Sequence, residues 1–197
     1  MKLEKLLVNF LNKKVLITGG TGLIGRQVVK ILADAGAKVK VVSLDKLNVD
    51  SRAEHIYADL TDLNVCLEVT SGIDYVFHLA GIKGSIEVTK SKPASFLVPL
   101  LMFNTNVLEA ARKNKVSKFI FSSSIYVYSE LGSFYRVSKQ ACEKIIEEYQ
   151  REFNLDYTIL RFGSLYGPRA NEFNGVRDFL TQALKNKKIV RRGDGEE

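Results

Sequence analysis

Tyr135 and Lys139, with the serine run Ser122-Ser123-Ser124 upstream, are the side chains in this sequence best suited to proton chemistry. On a helix, positions i and i+4 share a face, so the Lys139 ammonium is expected near the Tyr135 phenol. A nearby cation favours phenolate and lowers a tyrosine pKa, and a phenol tuned toward neutral pH can exchange a proton with an alcohol or sugar hydroxyl. Ser124 closes the strand-like run Lys118–Phe121, where its hydroxyl can hydrogen-bond the reacting oxygen and steady developing charge. Taken alone, Tyr-x-x-x-Lys also describes the start of an ordinary amphipathic helix.

The second constellation is Thr18-Gly-Gly-Thr-Gly-Leu-Ile-Gly25. It follows the apolar run Val15–Ile17 and opens a helix-like stretch, Arg26 to Ala35. Strand, glycine-rich turn and helix together present backbone N–H groups at a helix N-terminus to an anion. Gly19 and Gly22 let a pyrophosphate approach closely, and Gly25 lets the helix pack tightly on the strand. A tight βα turn that binds nothing fits the same glycines. An acidic residue about 20 positions further on would hold an adenosine ribose. Asp45 stands there, at the end of the run Val39–Leu44; a solvated turn aspartate is its bland alternative.

These residues need a scaffold, and the apolar pattern supplies one. Strands are expected at 14–18, 39–44, 54–57, 74–79, 117–123 and 157–162, and helices at 22–35, 62–69, 94–114, 136–153 and 175–186. Residues 1–13 read as an amphipathic helical lead-in, and the Pro93–Pro99 region as a loop and helix start. Short β-rich runs without strict alternation belong to strands covered on both faces. Their alternation with helices predicts an α/β fold: a Rossmann-like, doubly wound parallel sheet with helices on both faces. The whole of 1–197 is expected to form a single dinucleotide-binding domain.

Composition narrows the function classes. The 197 residues carry a formal charge of +7, much of it near the C-terminus. A positive field suits an anionic dinucleotide and a nucleotide-linked substrate; no basic-aromatic interleaving points to nucleic acid. No apolar stretch approaches the ~20 residues needed to span a bilayer, and the N-terminal segment lacks a secretory cleavage pattern. Two cysteines, Cys66 and Cys142, read as buried thiols of a reducing compartment, the cytoplasm. With two histidines, His55 and His78, and no ligand cluster, no metal is expected.

Several motifs in order carry a resemblance: the Thr18–Gly25 loop, Asp59-Leu60, His78-Leu-Ala-Gly81 with Lys83, Asn106–Arg112, Phe121–Ser124 with Val127-Tyr128, Tyr135-x-x-x-Lys139, and Arg161-Phe-Gly-Ser-Leu-Tyr-Gly-Pro168. The chain resembles the extended short-chain dehydrogenases/reductases of the NAD-dependent nucleotide-sugar epimerase/dehydratase type. The resemblance implies that Leu23 and Ile24 line the pyrophosphate turn and that Asp59 and Leu60 flank the adenine. It places Ala80, Gly81 and Lys83 along the cofactor, and Ser164 and Arg169 at the substrate. It makes Ser124, Tyr135 and Lys139 catalytic, Lys139 also holding the nicotinamide ribose. The implied reaction is transient oxidation of a sugar hydroxyl by NAD, in a homodimer formed through the Asn106–Arg112 and 136–153 helices.

The sequence departs from the pattern in places. Ile125-Tyr126 stand where 4,6-dehydratases carry an Asp-Glu pair, which argues against dehydration. Residues 163–197 read as the start of a truncated substrate-binding region. Only 129–134 connect Tyr128 to Tyr135, where relatives carry a longer loop. Leu100 and Ser164 fall where relatives often have Asn. One alignment puts Ser43 rather than Asp45 at the ribose, with Lys46 or Arg52 nearby, so NADP stays open beside NAD. The expected function is a nucleotide-sugar epimerase. The alternatives are a cofactor-binding chain with weak or no turnover and, more remotely, a regulatory or nucleic-acid-binding module.

Overall fold

The computed structural model describes residues 7–82, 94–130, 132–168, 170 and 174–190. Lys83, Pro93, Arg169, residues 1–6 of the expected lead-in and the C-terminal 191–197 lie outside them. The chain falls into two compact units, Met1–Phe162 and Gly163–Glu197.

The first unit is built on a six-stranded parallel sheet: β1 (Lys14–Thr18), β2 (Lys38–Ser43), β3 (Glu54–Tyr57), β4 (Tyr75–His78), β5 (Lys118–Ser124) and β6 (Tyr157–Phe162). Spatially the order is β3-β2-β1-β4-β5-β6. Helices α1 (Leu23–Asp34), α2 (Leu63–Thr70), α3 (Ala94–Lys113) and α4 (Ser133–Phe153) make the connections, and a 3-10 turn, Ile125–Tyr128, follows β5. The strand order reverses between β1 and β4, and in open α/β sheets ligands bind in the crevice outside the strand ends at such a point.

Successive residues of β1 point to opposite faces, and both faces are covered. Val15 and Ile17 join α1 residues Val29 and Leu32 in one cluster. Leu16 faces the other, with Val107 of α3 and Ile146 of α4. This explains why the strands read as near-continuous apolar runs. In β5, Phe119 and Phe121 are completely or almost completely buried, and the three serines that end the strand are buried with them. The apolar strand thus ends in three buried hydroxyls.

Pro99 lies inside α3, as the expected helix over 94–114 allowed, at its sixth residue, where proline has no N–H to donate to the preceding turn. One element differs from the sequence expectation. Helix α4 begins at Ser133, three residues early, after Gly132 takes a left-handed φ of 93°. Tyr135 therefore sits in the first turn of α4.

In the second unit, α5 (Gly175–Asn186) starts at Asn174, whose side chain accepts a hydrogen bond from the Arg177 N–H, and ends at left-handed Lys187. Ser164 is exposed in this unit.

Candidate active site

The glycine turn forms a cradle where β1 ends. Gly19 has φ of 66°, and a Cβ there would stand 2.8 Å from the Ala80 backbone. At Gly25 a Cβ would meet Gly19 O at 2.3 Å and Gly20 Cα at 2.6 Å. Gly25 thus packs on the turn itself more than on the strand. Gly22 caps α1 without offering a side chain, so the amides of Leu23, Ile24 and Gly25 are not capped by one. Such a backbone surface with positive helix-dipole character fits a pyrophosphate.

A buried hydrogen-bond chain holds the cradle against β4. The Ala80 N–H donates to Thr18 Oγ1 at 3.1 Å, leaving the Thr18 hydrogen for His78 Nδ1 at 2.8 Å. His78 Nε2–H then donates to Asn104 Oδ1 at 2.8 Å. His78 packs among Phe103, Phe119 and Phe121. Burial, with the Lys139 charge adding to it, pushes its pKa down to about 3, so the ring is neutral and its tautomer is set by this chain. Sequence reading missed Asn104; its polar type at a buried helix position was the available signal.

At the outer end of the crevice, Thr21 donates to Asp45 Oδ2 at 2.8 Å. Asp45, Ser43, Lys46 and Tyr57 are among the residues lining a cleft of about 250 Å³ at the carboxyl ends of β2 and β3. Both residues considered for the ribose therefore border one cleft. Lys46 lies 5.0 Å from the centre of the Tyr57 ring. Arg52 pairs instead with Asp50 and Asp34. Asp59 accepts from the Thr61 N–H and hydroxyl, both at 2.9 Å, in the turn after β3. The Leu60 side chain is buried and its carbonyl accepts from Asn106 Nδ2. Gly81 has open space at its Cβ position.

Ser124, Tyr135 and Lys139 converge at the end of β5. Tyr135 and Ser124 are joined by a side-chain hydrogen bond, and Ser124 Oγ also accepts from the Tyr126 N–H at 3.3 Å. Lys139 is 3% exposed; its Nζ donates to the Ser122 carbonyl at 2.7 Å and lies 5.9 Å from the centre of the Tyr135 ring. The sequence predicts a Tyr135 pKa lowered by Lys139, and here the structure differs. Burial raises the Tyr135 pKa, with the Ser124 hydrogen bond pulling the other way. The ammonium is directed at a backbone carbonyl instead of the phenol oxygen. Burial also lowers the Lys139 pKa to about 8, opposed by Cys142 and Glu143.

Leu100, where an Asn was considered, is buried in the core. Among the described residues no cluster of three potential metal ligands occurs, and no helix is long and apolar enough to cross a membrane.

The chain resembles known proteins over most of its length. It is 29% identical over 183 residues to GDP-mannose 3,5-epimerase of Arabidopsis thaliana, spanning 80% of this chain and 48% of that enzyme. It is also 29% identical to an uncharacterized UDP-glucose epimerase of Bacillus subtilis, spanning 93% of this chain and 66% of the relative. Among solved structures, UDP-glucose 4-epimerase of Thermotoga maritima, with UDP-glucose, superposes at a TM-score of 0.83 with 30% identity. The match covers 93% of this chain and 67% of that one. The chain thus spans about half to two thirds of the length of these relatives. A family model for the NAD dependent epimerase/dehydratase family matches residues 15–197. With that match over a parallel sheet whose glycine cradle follows β1 and whose Ser124 ends β5, this chain belongs to the NAD-dependent epimerase/dehydratase family.

Proposed function

We propose that this chain is the cofactor-binding and catalytic part of an NAD-dependent nucleotide-sugar epimerase. The observation that carries the reading is the convergence of Ser124, Tyr135 and Lys139 at the end of β5. NAD fits the residues present. Backbone amides after Gly22 would hold the pyrophosphate, Asp45 the adenosine ribose, Asp59 and Leu60 the adenine. Ala80, Gly81 and Lys83 would run along it, and Lys139 would take the nicotinamide ribose. Bound NAD supplies the hydride acceptor and donor. The Asp45–Thr21 bond and the pairing of Arg52 with aspartates favour NAD over NADP.

Tyr135, in its phenolate form, takes the proton of a sugar hydroxyl, becomes the phenol and later returns that proton. Ser124 holds that oxygen in place through its hydroxyl. Lys139, cationic below about pH 8, favours the phenolate form of Tyr135 that accepts the proton. Ile125 and Tyr126 bring no carboxylate beside Ser124, in keeping with epimerase rather than 4,6-dehydratase chemistry. Residues 163–197 would begin the substrate lobe, with Ser164 and Arg169 at the nucleotide sugar. The assembly would be a cytoplasmic homodimer.

A second reading, cofactor binding with weak turnover, is favoured by the short connection between Tyr128 and Ser133. Assays with UDP-glucose, UDP-galactose and GDP-mannose, alongside NADH fluorescence titration, separate the two. Tyr135→Phe should abolish turnover and keep NADH binding; equal activity in this variant would defeat the first reading. Robust turnover by the 197-residue chain would defeat the second.

A further inference from the structure

Helix α4 grips the end of β5 at three consecutive residues. Tyr135 hydrogen-bonds Ser124, Lys139 takes the Ser122 carbonyl, and one turn further on Glu143 accepts from the Ser123 hydroxyl at 2.5 Å. The i, i+4, i+8 spacing puts all three on one helix stripe. The first two contacts belong to the proposed chemistry; the third has no part in it. Yet Glu143 is held by two residues on two strands. Its side chain is 7% exposed and meets Arg161 of β6 through Nε at 3.0 Å and Nη2 at 2.7 Å. Arg161 Nη1 reaches on to the Tyr128 hydroxyl at 2.6 Å, in the 3-10 turn that follows Ser124. The β5–β6 register places Arg161 directly beside Ser123.

We infer that Glu143 is a positioning residue: it locks the end of β5 against α4 and, through Arg161 and Tyr128, locks the turn after Ser124, so that Ser124 and the Ser122 carbonyl stay in reach of Tyr135 and Lys139. This rests on the reading that those residues carry the chemistry. A carboxylate suits the task because it accepts from a hydroxyl and a guanidinium together. It also supplies the charge that faces Lys139. Of the other groups around that lysine, His78 of β4 and Cys142 of α4 are held neutral by burial, and Tyr135 is a phenol with a raised pKa. Glu143 itself is pushed up by burial and more than brought back down by Arg161, Ser123 and Lys144, so it stays ionised.

The test uses Glu143→Gln and Ser123→Ala in the full chain. Folding is read by circular dichroism, NADH binding by fluorescence, and the Lys139 titration by NMR of 13Cε-labelled lysine, assigned with Lys139→Met. Both variants should bind NADH within about twofold of the parent. In Glu143→Gln the Lys139 midpoint should fall by about one pH unit. Where the parent turns over UDP-glucose or UDP-galactose, kcat should fall at least about tenfold, on the order of one lost charge-assisted contact, with KM unchanged. Glu143→Asp should restore the Lys139 midpoint in part. Ser123→Ala keeps the Arg161 pair and serves if Glu143→Gln fails to fold; its kcat and Lys139 midpoint should move in the same directions. Folded variants with an unmoved Lys139 midpoint overturn the inference. A parent without turnover counts against the epimerase reading and leaves the lysine titration to decide the role of Glu143.

Discussion

Thr21 of the glycine turn donates its hydroxyl hydrogen to Asp45 Oδ2 at 2.8 Å, joining the phosphate cradle to the residue at the end of β2. One side chain thus orients the carboxylate that would meet the ribose. Asp45→Asn should weaken NADH binding about tenfold, the scale of a lost charge-assisted hydrogen bond, and narrow the gap to NADPH. Thr21→Val should weaken NADH binding by less. Parallel fluorescence titrations with both cofactors check this; unchanged selectivity in Asp45→Asn would move the ribose contact to Ser43.

Gly25→Ala places a methyl group against the backbone of Gly19 and Gly20, neither of which can give way as a flexible side chain would. The variant should lose about 1–3 kcal/mol of stability from overpacking and bind NADH far more weakly, because the amides after Gly22 move with the turn. Thermal melts and NADH titration on the same preparation test both halves.

Lys139 gives stability a pH dependence of known sign. Its folded pKa of about 8 lies below the ordinary 10.5, so the unfolded chain binds more protons between those values and stability rises with pH across that window. The cost of the buried charge is on the order of 3 kcal/mol, fully present below about pH 8. Lys139→Met should flatten the rise. Urea midpoints at pH 7, 8, 9 and 10 measure it; parallel curves for parent and variant would assign the slope elsewhere.

Helices α3 and α4 leave Val98, Met102 and Val137 well exposed. If they form the homodimer interface, light scattering at micromolar concentration should give a dimer, and Val98→Glu with Met102→Glu should give a monomer. A monomeric parent would refute this arrangement.

The strand pattern was legible because the apolar runs of β1 and β5 are almost wholly buried; every strand boundary falls within one residue of the expectation. The start of α4 was not, because it depends on left-handed backbone at Gly132 and Ser133, which the sequence does not display. Ser124, Tyr135 and Lys139 were readable from type and spacing. What Lys139 touches was hidden, since its partner is a backbone carbonyl. Glu143 and Arg161 were equally hidden: the register between β5 and β6, and not any local motif, brings them together.

Cys66 and Cys142 have a consequence for how the molecule breathes. Both thiols are buried and free, and burial pushes their pKa values up to about 12 and about 11, so neither can be alkylated in the closed fold. Each is therefore an internal clock. The rate at which a thiol reagent reaches Cys66 reports the opening of α2, and the rate at Cys142 the opening of α4. If the two rates agree, the face they share lets go as one cooperative unit; if Cys66 reacts first, α2 loosens while α4 stays shut.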